Sequence, residues 1–547
     1  MDKGLSLRAL RPCAAALLAA LACACQQQAS RPPCPPGQVC LAYGNTVDPN
    51  TLDPAKATLT NESAILGELL QGLTQNDADG EPIPGVATRW ETSADGLNWT
   101  FHLRDAQWSD ATTVTADDFV FAFRRVLDPA TASSYAYLLY VLNNGQAVNE
   151  HKAPSASLGA LALDAHTLRL TLAHPAPYLP QILAHQSFYP VPAHVVRRWG
   201  DDWVRPGHFV GDGPFNLVNW RLGDYLRVER NPLYWDAGRV RIDRIDFYPT
   251  GDAVSAERRV KRGELDVNDL ILSSRVDHLR RPGGMAAYVR THPFLGTYYL
   301  AFNVRHLAAL RDLRVRQAIS MAIDRDFITE KLLRAGQVAT TAFVPPQTAG
   351  YLPPAVAHPR AAWASWTLSA RQLEARRLLT AAGYSADRPL QIEIKSPNTS
   401  SARLVVEAIQ ADLQAVGVRA TLAQEEGQVL YQSLNVGDFQ IGYVSWIADY
   451  NDPLTFLALM RSDTGAQNYG GYNSPQFDAL MDQADHTADP KARAVILADA
   501  EQVMLDDAYI APLYVGVNTN LVSPRVRGWR DNAVDIHRAR YLSLAPR

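Results

Sequence analysis

Residues 439–453 read Phe439-Gln440-Ile441-Gly442-Tyr443-Val444-Ser445-Trp446-Ile447-Ala448-Asp449-Tyr450-Asn451-Asp452-Pro453. The apolar and aromatic run predicts a buried strand that stops at Asp449. Asp452-Pro453 then supplies an N-cap and an N1 proline for a helix over 454–459. A buried strand handed directly to a capped helix points to an α/β fold. Asp452 thereby has a structural duty. Asp449 has none so obvious, and the C-terminal end of a strand is where open α/β sheets place their ligands. A carboxylate there, fenced by Trp446 and Tyr450, favours a cationic ligand group, with an ordinary turn aspartate as the competing reading.

Outward from this segment the mixture of short strands, turns and amphipathic helices continues without a fixed-period repeat. Residues 99–104 alternate as a half-buried strand, and Thr115 with Asp117 and Asp118 opens a helix. Val315, Ala318, Ile319, Ala322, Ile323, Ile328 and Leu332 recur at helical spacing, predicting one helix over about 313–335. Residues 345–365, rich in Pro, Ala and Tyr, read as a long surface excursion. A chain of 547 residues is far longer than one domain of about 150, so two or three globular units are expected.

Composition excludes several classes. Fifty-two basic against 56 acidic residues carry no basic excess, so no nucleic-acid partner is implied. All five cysteines fall within the first 40 positions, which removes thiol nucleophiles, Cys-ligated metals and disulfide frameworks from the rest. No zinc-protease helix, nucleophile elbow, Walker loop or dinucleotide fingerprint is present. Asp77-Ala78-Asp79-Gly80 lacks the later ligands of a calcium loop and reads as a hairpin turn. The 13 histidines show no metal-ligand spacing, so neither a metal nor another cofactor is expected. The 22 Tyr, 11 Trp and 15 Phe must mostly be core, with a minority free to line a pocket.

The N-terminus has the layout of a secretory signal peptide. Lys3, Arg8 and Arg11 precede the 13 residues Cys13 to Cys25, made only of Ala, Leu and Cys, too short to span a bilayer. The exit Leu21-Ala22-Cys23-Ala24-Cys25 resembles a lipoprotein lipobox, making Cys25 or Cys23 the expected acyl acceptor, against a plain signal peptide as alternative. Residues 26–40 read as a polar, Pro-rich tether in which Cys34 and Cys40 are expected to close a small loop.

Taken together, several segments resemble bacterial oligopeptide-binding proteins, in the peptide/nickel family (family 5) of extracellular solute-binding proteins that serve ABC importers. They are Thr51-Leu52-Asp53-Pro54, Gly85-Val86-Ala87 with Trp90, WTFHLRDAQWSD (99–110), VTADDFVFAFRRVLDP (114–129) and Gly211-Asp212-Gly213-Pro214-Phe215. RNPLYW (230–235), RGELDV (262–267), TYYLAFN (297–303), VRQAISMAIDRD (315–326) and WIADYNDP (446–453) complete the series. Ala111 departs from the family's usual Gly in the turn after Ser-Asp, which suggests an altered turn.

The resemblance implies a two-lobed periplasmic-binding-protein fold, type II, of the large peptide-binding class, with an extra subdomain on lobe 1. The implied division is a signal peptide (1–25), tether (26–40), lobe 1 (41–69, 193–295 and 515–547), extra subdomain (70–192) and lobe 2 (296–514). The lobes would close by hinge motion around an extended peptide held through main-chain pairing. Asp449 matches the aspartate that binds the peptide α-ammonium. Tyr135 matches a cleft tyrosine of the subdomain, Trp446 and Tyr299 aromatic walls, Asn468 a polar cleft residue, and the stretch from Thr58 to Thr60 a strand that pairs with peptide. Leu434, Tyr443 and Leu333 stand where the best-known members carry basic residues for the peptide carboxylate, leaving Arg403, with Arg334 beside another such position. Gly296 and Ile447 stand where some relatives have a disulfide. The implied protein is a monomeric, non-enzymatic receptor, periplasmic or at the outer face of the cytoplasmic membrane, lipid-anchored, with an oligopeptide ligand and ABC permease subunits as partners. A receptor for murein-derived or modified peptides is one alternative, and an exported hydrolase a remote other.

Overall fold

The computed structural model describes residues 33–269, 271–352 and 356–546. The leader, Cys23, Cys25 and the first part of the tether lie outside them. Cys34 and Cys40 form the expected disulfide, and Cys40 already opens the strand Cys40–Gly44, so the tether ends before residue 40. Among the described residues, no helix is long and apolar enough to cross a membrane.

Two long antiparallel strands, Val289–Phe302 and Ile510–Val522, run through both halves of an eleven-stranded sheet. On one side, Val289 to Pro293 pair with residues 517–521, and Val267–Asn268 joins that end of the second strand. Cys40–Gly44, Arg244–Tyr248, Tyr225–Arg230 and Phe215–Arg221 follow in order. On the other side, Gly296 to Phe302 pair with Ile441–Ile447, followed by the parallel strands Leu390–Pro397 and Val418–Glu425, and the short strand Val338–Ala339 pairs with Tyr514 and Val515 as the eleventh. The register slips between Pro293 and Thr297. There the Phe294 ring lies so close to Gly296 and Gly516 that a Cβ on either would approach it within 2.2 and 2.4 Å, so only glycine fits. This is the two-lobed α/β architecture expected, with the long strands crossing between halves.

A four-stranded antiparallel sheet, ordered Ala87–Thr92, Asn98–Leu103, Thr167–Thr171 and Ala160–Asp164, stands apart. Asn98–Leu103 alternates half-buried and buried residues as its sequence predicts. The helix Ala116–Leu127 starts at the Thr115/Asp118 capping box and buries Phe119 and Phe123. Each buried side chain of this size adds about 1.5–3 kcal/mol of transfer free energy. Asp77 to Gly80 form a turn between Thr74–Asn76 and Pro82–Pro84, as the hairpin reading requires.

Two expectations are corrected. The single helix over 313–335 is two elements, Leu313–Ala322 and Phe327–Leu333. Between them the buried Arg325 guanidinium takes the carbonyls of Ser320 and Pro512 at 2.9 and 2.7 Å, and Ile323 is extended. The described residues of the excursion at 345–365 form no helix or strand, yet Tyr351 and Trp363 are each only 7% exposed and anchor it to the core.

The turn at Ala111 also differs from a neutral substitution. Ala111 has φ +67°, the left-handed region that favours glycine. Ala111→Gly is therefore expected to stabilise the protein by about 0.5–1 kcal/mol, the relief of strain exceeding glycine's extra unfolded-state entropy. Denaturant melts check this, and an unchanged or lower midpoint contradicts it.

Candidate functional site

The strand Ile441–Ile447 carries the chain to Asp449, whose backbone N–H donates to Thr455 Oγ1 at 3.2 Å. From the subdomain, the 3-10 segment Ala136–Val141 reaches across, and the Tyr137 hydroxyl donates to Asp449 Oδ2 at 2.5 Å. Burial pushes the Asp449 carboxyl up to about 6, against the lowering effect of that hydrogen bond. Tyr137 is raised in turn by burial and by the carboxylate. Tyr135 is half-buried, packs edge-on against His185 at 4.7 Å, and is pushed up to about 12 by burial and by Asp449. Burial lowers His185 to about 4, so it brings no positive charge at neutral pH. Among the described residues, no Lys, Arg or His pairs with Asp449.

Three residues on, Asp452 is the opposite case. It is 2% exposed, accepts the Leu454 N–H at 2.9 Å, and binds the Arg493 guanidinium bidentately at 2.8 and 2.9 Å. Arg493, from the helix Pro490–Asp506, lies over the Tyr178 ring at 4.6 Å, and Tyr178 stacks on Tyr450 at 5.5 Å. Adjacent carboxylates thus have different fates, one neutralised inside the protein and one left with a hydroxyl only. A buried carboxylate without a cation is costly, so the arrangement favours a ligand that brings one. Trp446, half-buried on the strand leading to Asp449, holds its indole N–H buried without a hydrogen-bond partner.

The other predicted residues are placed differently. Thr60 is not on a strand: it opens the helix Thr60–Leu69, and Glu62 Oε2 takes the Thr58 and Leu59 N–H groups at 2.8 and 3.0 Å. That carboxylate satisfies the helix N-terminus and commits two of the donors that strand pairing would use. Tyr299 is 1% exposed and meets Phe343 edge-on at 5.1 Å, so it is a core aromatic rather than an open wall. Asn468 is 5% exposed and staples its own loop, donating to the carbonyls of Arg461 and Tyr472 and accepting the Tyr472 N–H. Its amide is fully used there.

Arg403 is exposed near the start of the helix Ser400–Ala415 and donates to Gln424 Oε1 at 2.9 Å. Leu434, Tyr443 and Leu333 are all buried. Arg334 takes a left-handed conformation and pairs with Asp277. Gly296 and Ile447 face each other directly across the strand pair. Tyr137, Tyr178 and Arg493 were not singled out in the sequence. Tyr137 lies two residues from Tyr135 in a tyrosine-rich segment, a signal too weak to choose between them.

A family profile described as "Bacterial extracellular solute-binding proteins, family 5 Middle" matches residues 81–468. The periplasmic oligopeptide-binding protein OppA of Salmonella typhimurium is 36% identical over 496 residues, covering 89% of each chain. The periplasmic murein peptide-binding protein MppA of Escherichia coli is 35% identical over 89% of each chain. A solved structure of that MppA superposes with a TM-score of 0.81, at 33% identity over 93% of this chain and 99% of the other. Haemophilus influenzae OppA, solved in complex with RPPGFSPFR, gives 0.78 at 30% identity, over 93% and 99% of the two chains. Matched by the profile over residues 81–468 and by relatives more than a third identical over 89% of its length, the chain belongs to the bacterial extracellular solute-binding proteins of family 5.

Proposed function

We propose that the chain is the substrate-binding component of an ABC-type peptide importer, closing its lobes around an extended oligopeptide and pairing Asp449 with the peptide α-ammonium. One observation carries this reading: Asp449 is a half-buried carboxylate that, among the described residues, has no cationic partner and accepts the Tyr137 hydroxyl. An incoming ammonium supplies the missing charge and rewards a free N-terminus. The murein-peptide receptor is the second reading, favoured by the buried Leu434, Tyr443 and Leu333 at the positions where carboxylate-binding residues were sought. Native mass spectrometry on protein from peptide-rich cells separates them. Co-purified intact peptides of mixed sequence support the first, a single muropeptide the second, and cleaved products accumulating with time would contradict a purely binding role.

The pH dependence follows from the raised Asp449 pKa. Pairing needs the carboxylate, so affinity for a free-amino peptide should fall up to tenfold per pH unit below about 6, until the pKa of the complex is reached. The sign for ligand-free stability is opposite. A raised acid pKa gives stability present below the ordinary value of 3.8 and lost as pH rises through about 6. Asp449→Asn should therefore bind without this pH slope and melt above wild type at neutral pH, with the melting gap closing below pH 4. Calorimetry across pH tests the first statement, and an unchanged slope in Asp449→Asn contradicts it.

Arg403 is assigned to the carboxylate of those ligands long enough to reach it. Arg403→Ala should weaken some peptide lengths and spare others in a length series, whereas a uniform loss contradicts the assignment. The lobe boundaries are set at 295/296 and 514/515, a placement supported by the register slip beside Phe294. The subdomain is given as 70–192. The protein acts as a monomer in the periplasm or at the outer face of the cytoplasmic membrane, anchored through acylated Cys25 or Cys23, and delivers cargo to permease subunits. Intact mass of the membrane-extracted protein identifies the acylated cysteine.

A further inference from the structure

His292, Asp535 and His537 lie far apart in sequence, yet their ligand atoms all lie within 4.8 Å of one another. His292 is on the long strand Val289–Phe302, just before its register slip, and only 7% exposed. Neither of its ring nitrogens has a hydrogen-bond partner of good geometry, although Nε2 is 3.2 Å from Asp535 Oδ1. His537 Nε2 is 3.0 Å from that same oxygen. Asp535 sits in a left-handed conformation, φ +52°, within a loop that Asn532 ties together through the Ile536 N–H and carbonyl. The Leu295 N–H donates to the Ala533 carbonyl at 2.9 Å and docks this loop on the strand.

We propose that His292, Asp535 and His537 form a binding site for one borderline divalent transition-metal ion, of which Zn2+ is the representative. Two imidazoles and a carboxylate suit Zn2+, Ni2+ or Cu2+ and not Mg2+ or Ca2+, which require mostly oxygen ligands. In a tetrahedral shell with bonds of about 2.0–2.1 Å, ligand atoms are about 3.3 Å apart. The two edges from Asp535 to the imidazoles, 3.2 and 3.0 Å, are close to this spacing, and the third lies within 4.8 Å. The surroundings act as a second shell. Asp531 faces His292 Nδ1 at 3.8 Å, and Trp529 stacks on His537 at 3.8 Å while donating its indole N–H to Asp531 at 3.1 Å. Such partners fix ring orientation around a metal. The Asp535 and Asp531 side chains are 31% and 35% exposed, which leaves an entry path.

The test is calorimetric titration of chelator-stripped protein with ZnCl2. One ion per chain with micromolar or tighter affinity is expected, unaffected by millimolar Mg2+ or Ca2+. His292→Gln and His537→Gln should each weaken binding at least tenfold. Crystals grown with Zn2+ and measured at its absorption edge need no variant: the anomalous peak should lie between His292, Asp535 and His537. No one-to-one binding, wild-type affinity in both folded variants, or a peak elsewhere overturns the proposal.

Discussion

Asp449→Ala is expected to weaken binding of a peptide with a free α-amino group by 100-fold or more, equivalent to about 2.8 kcal/mol at 1.4 kcal/mol per tenfold. Removing one partner of a buried charge pair leaves the other desolvated, and costs of about 2–5 kcal/mol follow. The ammonium would have no substitute, since His185 is neutral and Tyr135 and Tyr137 offer only hydroxyls. The fold should survive. The side chain makes one hydrogen bond, to Tyr137, and its removal relieves a buried charge. Calorimetry with a defined tetrapeptide reads the loss, and a thermal melt at neutral pH at or above wild type shows that it is not unfolding. A variant that binds within threefold of wild type removes Asp449 from the site.

Asp452→Ala is expected to be the most damaging of the changes for stability, at about 3–5 kcal/mol. Arg493 and Asp452 are both 2% exposed, and among the described residues the guanidinium pairs with no other carboxylate. The variant also loses the acceptor for the Leu454 N–H, a capping contribution of about 1 kcal/mol. Because Arg493 lies over the Tyr178 ring, the damage should reach the packing of the helix Pro490–Asp506 against the segment around Tyr178. Adding Arg493→Met to Asp452→Ala should restore part of the loss, since an apolar pair removes the stranded charge. Denaturant midpoints of the single and double variants decide this. A loss under 1 kcal/mol, or strictly additive losses, would contradict the account.

Local patterns were legible where one short segment carried its own reason. Thr115 with Asp117 and Asp118 marks a helix start, the alternation over 99–104 falls on the strand Asn98–Leu103, and the run read as a strand to Asp449 is a strand that ends two residues earlier, at Ile447. What required contacts distant in sequence was not legible. Glu62 turns the segment at Thr60 into a helix start by accepting the backbone N–H groups of Asn50 and Thr51 as well as those of Thr58 and Leu59. Arg325 splits a periodic helix because its guanidinium reaches Pro512. Tyr135 and Tyr137 are two residues apart, and only the contact with Asp449, distant in sequence, marks Tyr137 as the one that donates to it; His292 meets His537 only through the closing of the long strand onto the C-terminal loop.

A charge pair between Asp449 and a peptide N-terminus can be isolated by a two-by-two calorimetric cycle. One peptide is measured free and N-acetylated, against wild type and Asp449→Ala. The account predicts that acetylation costs wild type at least 100-fold and costs the variant little. Equal affinity of wild type for the free and acetylated peptide, or an acetylation penalty that persists undiminished in Asp449→Ala, would contradict it.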